Sequence, residues 1–173
     1  MTIIGTNSVR CRVVEGCHMD KVEILWAIEQ IKQLKARYFR FTDTRQTKEF
    51  LGVFSDDLVW IWYAADNETV LKTINGPGEF GAWLDSIGPN RLAGFSCHMG
   101  HTPEIEIVDE NFARGIWPIE DYVYNPGDKH FKGYGHYYEE YKRNADGDWK
   151  ISRCELKRLH VDVLGAEGEQ AAR

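Results

Sequence analysis

Four long runs of strand character fill the second half of the chain, near residues 95–108, 112–124, 131–143 and 149–163, with an Asp146-Gly147 turn signal between the last two. No other feature limits the fold as much. Strands this long that follow one another through short connections pair antiparallel, and a sheet built from them twists and curls instead of lying flat. A curled sheet has a concave side that another element must fill.

The first half supplies that element. Asp20 with Glu23 three residues later makes a capping-box pattern, and Ile24, Ile28, Ile31, Leu34, Tyr38 and Phe41 then recur at spacings of three and four, which predicts one long amphipathic helix over 21–42. A short helix is expected over 47–54, a strand over the aromatic run 58–63 (LVWIWY), a turn at Gly76-Pro77-Gly78 and a third helix over 79–87. Helices first and strands after means α+β, with N-terminal helices packed in the concave side of a curved antiparallel sheet whose mouth is open to a ligand. Residues 1–19 are expected to form a loosely ordered arm, 20–164 one domain, and 165–173 a frayed polar tail.

With 173 residues, 43% of them hydrophobic, the chain can bury one core and has little room for two. Its 27 acidic and 21 basic residues give a net charge of −6 with no basic cluster, so neither nucleic acid nor membrane is an expected partner. Cys11, Cys17, Cys97 and Cys154 have no CxxC or zinc-ligand spacing and read as free thiols in a reducing compartment. No run reaches the ~20 apolar residues of a membrane span or forms a signal peptide, and a cytoplasmic protein is expected.

Several residues carry possible chemistry. Tyr38 lies on the apolar stripe of the long helix, so its hydroxyl needs a partner, either in a site or on a backbone carbonyl in the core. Asp43 falls at the helix C-terminus, against the macrodipole, and must be solvated or compensated. His98 opens a strand near the expected mouth and is the candidate general base. Strand parity turns Cys97 and His101 away from it, which argues against a dyad or a two-histidine metal site. Asp121 shares parity with Trp117 and Ile119, which puts a carboxylate on an inward apolar face or the whole parity outside; if inward, His98 is its natural partner. Arg158 is in phase with Cys154 and Leu156 and could neutralise Asp43 or Asp121, hold an anionic group, or lie at the surface. Trp60, Trp62 and Trp117 are candidate pocket walls, or plain core aromatics.

The stretches EQIKQLKARYFRFTDTRQTKEFLGVFSDD, SCHMGHTPEIEIVDENFARGIWPIED and GYGHYYEEYKRNADGDWKIS resemble the helix, the His-bearing strand and the closing hairpin of SnoaL-like members of the NTF2-like superfamily, across residues 20–163. Tyr38, Asp43, His98 and Asp121 resemble the catalytic set of bile-acid dehydratases and, more distantly, of scytalone dehydratases. The resemblance implies a cone-shaped fold and loss of water from a hydroxylated polycyclic substrate, with His98 as base, Tyr38 as hydrogen-bonding acid and an arginine of the last strand, Arg158 or Arg153, completing the site.

The expected function is therefore a cofactor-free, metal-free dehydratase or isomerase acting beside a carbonyl on a small hydrophobic, steroid- or bile-acid-like molecule. In this reading Asp121 orients His98, while Asp43 and Arg158 tune the polar end. The rivals are an epoxide-hydrolase-like enzyme using Asp43, Asp121 and Arg158 on a water, a non-catalytic small subunit of a ring-hydroxylating oxygenase, and a ligand-binding module. An aromatic outer sheet face predicts a homodimer or homotrimer.

Overall fold

The computed structural model describes residues 19–87, 94–126 and 130–164. The expected arm, apart from Met19, and the expected tail lie outside these residues. Met19 itself packs against the core.

Helix α1 spans Lys21–Asp43. Its start is the capping box anticipated from Asp20 and Glu23: the Asp20 carboxylate accepts the Val22 and Glu23 amides at 2.8 and 2.9 Å, and Glu23 accepts the Asp20 amide at 2.7 Å. The buried stripe is Ala27, Ile31, Leu34, Lys35, Tyr38 and Phe39, so an unexpected lysine sits among the apolar positions. Helix α2 spans Thr47–Leu51, and strand β1, Phe54–Tyr63, begins four residues earlier than the aromatic run suggests. A strand with no counterpart in the sequence reading follows, β2 over Val70–Asn75. Only Ile74 of its residues is buried, so its alternation is too weak to read. The expected turn at Gly76-Pro77-Gly78 is instead the first turn of α3, Gly76–Ser86: Gly76 takes a φ of 76° at the strand-to-helix junction, and Pro77 then needs no amide partner in the first turn.

The run over 95–108 splits. Strands β3, Phe95–Gly100, and β4, Glu104–Ile107, both pair with β5, Phe112–Tyr124, on either side of a break holding Pro103. Strands β6, His130–Arg143, and β7, Trp149–Leu164, complete a seven-stranded sheet of order β2-β1-β7-β6-β5-β3. All neighbours are antiparallel except β1 and β7, which run parallel. The architecture is α+β, with α1 lying in the curve of an unclosed sheet and an aromatic-rich core between them. No helix among the described residues is long and apolar enough to cross a membrane.

Candidate active site

The C-terminal end of α1, the core-facing side of β3, β5, β6 and β7, and the aromatic side of β1 and α3 enclose a cavity of about 350 Å³. Tyr38, His98, Asp121 and Arg158 all line it, and Trp60 and Trp62 form part of its apolar wall with Phe80 and Trp83. Trp117 does not. That expectation is corrected: Trp117 is buried in the core, where its Nε1 donates to the Tyr141 hydroxyl at 2.7 Å. A partner for the indole N–H lay within the sheet, away from the cavity.

His98 is held by Asp43, not by Asp121. The Asp43 carboxylate accepts the His98 backbone amide at 2.9 Å through Oδ2 and meets the imidazole Nδ1 at 2.6 Å through Oδ1. It also accepts the Ser96 hydroxyl at 2.9 Å, and Ser96 in turn accepts Arg45 Nη1 at 2.8 Å. Asp43 is thus compensated against the helix dipole by three donors on β3. Burial pushes its carboxyl upward, but the hydrogen bonds and charge of His98 and the Ser96 hydroxyl outweigh it, and the net direction is below the ordinary value. With Nδ1–H donated to Asp43, Nε2 is left as an acceptor in the cavity.

Asp121 does face inward and is buried, but it is committed elsewhere: Arg158 Nη1 and Nη2 donate to its two oxygens at 2.8 and 2.6 Å. A bidentate guanidinium satisfies both carboxylate oxygens, which an imidazole cannot do. His98 Nε2 remains 3.9 Å from Asp121 Oδ2, beyond hydrogen-bond range, although the two residues are directly opposed in the β3–β5 register. The guanidinium passes over Gly133, the cross-strand partner of Asp121 on β6. A Cβ there would collide with both Arg158 Nη1 and Asp121 Oδ1. Arg153, the alternative to Arg158, points to the other face of the sheet and pairs with Glu155 at 2.6 Å.

Among the cavity residues not singled out from the sequence are Tyr137, Arg45 and Ser96. Tyr137 packs edge-on against Tyr38, with ring centroids 5.9 Å apart, and burial pushes both phenols upward, so both are neutral at neutral pH. Strand parity with Tyr141 was its one available signal. Arg45 and Ser96, which support Asp43, carry no local pattern that marks them.

Cys97 is exposed and Cys154 buried, and neither lines the cavity that holds His98. His101, in the break between β3 and β4, is exposed. A larger cleft of about 580 Å³ runs along the opposite side of β4 to β7, but its cations Arg114, Arg153 and Lys157 each lie within 3.8, 2.6 and 3.9 Å of a glutamate, and it holds no histidine. The proton-transfer groups are all in the smaller cavity.

A family model described as a SnoaL-like domain matches residues 23–155. The probable cyclase FGR4 of Gibberella zeae is 23% identical over 145 residues, 78% of this chain and 92% of that protein. Among solved structures, a scytalone dehydratase-like protein from Novosphingobium aromaticivorans superposes with a TM-score of 0.72 at 19% identity, covering 89% of this chain and all of that one (100%). The hexachlorocyclohexane dehydrochlorinase LinA-type3 of Novosphingobium barchaimii gives 0.69 at 20% identity, covering 86% and 97%.

Proposed function

The chain belongs to the SnoaL-like family, and from that premise we propose that it is a cofactor-free acid–base enzyme, a dehydratase-type lyase or isomerase acting beside a carbonyl on a hydrophobic ring compound. The observation that carries this reading is the His98–Asp43 hydrogen bond of 2.6 Å, which leaves Nε2 as the basic atom in an aromatic cavity.

His98 Nε2 takes a proton from the carbon beside the carbonyl, and charge develops on the carbonyl oxygen. The Tyr38–Tyr137 pair donates to that oxygen. In a dehydration the proton on His98 passes to the departing hydroxyl, which leaves as water as the carbon–carbon double bond forms; in an isomerisation it returns to a different carbon. Asp43 keeps the imidazole in the required tautomer and offsets its charge when protonated. Arg158 and Asp121 neutralise each other and form a fixed polar wall. Trp60, Trp62 and Phe80 take up the ring system. Proton transfer by His98 is worth about 10² to 10⁴ in rate, and positioning and oxyanion stabilisation supply the rest.

Two of the similar structures are named for elimination of H–X across a carbon–carbon bond, a dehydratase and a dehydrochlorinase, which supports elimination over isomerisation. The epoxide-hydrolase-like alternative needs Asp43 on the water it activates, whereas both Asp43 oxygens are engaged by His98. The test is a panel of polycyclic β-hydroxyketones and halogenated cyclic compounds in deuterated water, followed by mass spectrometry. Loss of water or halide, or deuterium uptake beside the carbonyl, is expected with the wild type and not with His98→Ala; no difference between the two overturns the reading.

A further inference from the structure

Behind the cavity, Lys35 and Glu139 form an ion pair at 2.5 Å with both side chains fully buried (0% and 0% exposed). The proton-transfer scheme above makes no use of it. Removing an ammonium and a carboxylate from water is costly, and well-packed apolar residues of similar size commonly serve stability as well or better. Stability therefore does not account for the pair.

Its surroundings do. Lys35 is three residues before Tyr38 on the same stripe of α1, and its Nζ sits 4.0 Å from the centre of the Tyr38 ring and 3.7 Å from that of Tyr137. One N–H is taken by Glu139 Oε1. Both cavity phenols thus share one cation on their faces. Glu139 is fixed in turn, because its second oxygen accepts the Tyr141 hydroxyl, which accepts Trp117 Nε1 at 2.7 Å. A desolvated cation on an aromatic face is attracted to the ring and draws its π density, an effect that grows when water is absent.

We propose that Lys35, anchored by Glu139, is a positioning residue that polarises the Tyr38–Tyr137 pair, making both hydroxyls stronger hydrogen-bond donors to an oxygen that gains charge in the cavity. This rests on the acid–base reading of the site. The ammonium touches no substrate and transfers no proton; it acts through the two rings, which converts a buried cation into donor strength at the cavity surface.

The test replaces Tyr38 by 3,5-difluorotyrosine in the full chain, which brings the phenol into a range where ionisation can be followed by absorbance. In the Lys35→Met/Glu139→Gln background the ionisation constant is expected to fall about tenfold relative to the otherwise unchanged protein. A folded double variant with an unchanged titration overturns the proposal. Because that variant can fail to fold, a second measurement uses the unmodified sequence labelled with ¹⁵Nζ-lysine. Lys35 is expected to give an ammonium resonance whose protons are displaced upfield by the two ring faces. A neutral amine, or an ammonium without ring-current displacement, also overturns it. Neither measurement needs turnover, so failure here is distinct from failure of the substrate panel.

Discussion

Asp43 at the last position of α1 grips His98 on β3 twice, through the backbone amide at 2.9 Å and through imidazole Nδ1 at 2.6 Å. The double contact fixes both the position of the strand and the tautomer of its side chain. Asp43→Asn is expected to abolish the preference for the Nδ1–H form in ¹⁵N NMR and to lower turnover by about 10²-fold or more with the fold retained. An unchanged tautomer and rate would show that the contact is only structural.

The same carboxylate makes a pH-dependent contribution to stability. Its folded value lies below the ordinary 3.8, so the contribution is complete above 3.8 and is lost as pH falls through the folded value. The stability gap between wild type and Asp43→Asn in urea unfolding, present at about pH 5, should close below about pH 4. A gap that persists at the lowest pH would assign it to something other than the charge.

Arg158 and Asp121 are both buried, and each satisfies the other. Arg158→Met strands a carboxylate and should cost about 3–5 kcal/mol, whereas Arg158→Met/Asp121→Asn should recover much of that loss. Equal losses in the single and double variants would mean that the guanidinium contributes mainly by packing.

Gly133 leaves the space that this ion pair crosses. Gly133→Ala is expected to displace the pair and destabilise the protein by about 1–3 kcal/mol, while Gly147→Ala, where a side chain meets no atom, should act only through its turn φ of 84°. A tolerated Gly133→Ala with an intact Arg158 side-chain signal would sink the steric argument.

Alkali should unfold the protein from its core. Burial pushes the Cys154 thiol and the Tyr38, Tyr137 and Tyr141 phenols above their ordinary values of 9.0 and 10.0. Groups whose folded values are raised contribute stability that is complete below the unfolded value and lost above it. Urea-unfolding stability should therefore decline from about pH 9 upward, and Tyr141→Phe should flatten the decline. A flat profile to pH 11 would contradict the burial of these groups.

Much of the frame was legible in the sequence because periodicity and capping are local. The stripe from Ile24 to Phe41 and the Asp20–Glu23 box defined α1, alternation placed β5 but left the face of Asp121 open, and the helix-then-strand order gave the α+β class. Pairings between distant groups were not legible. Asp43 and His98 are 55 residues apart and Lys35 and Glu139 are 104 apart. Local pattern leaves open even whether a carboxylate is buried, and several donors qualify as its partner. The choice fell to tertiary geometry: α1 ends above β3 and offers Asp43 to His98, and the missing side chain at Gly133 lets Arg158 reach Asp121 and occupy both its oxygens. Once those oxygens were taken, His98 kept its second nitrogen for the cavity.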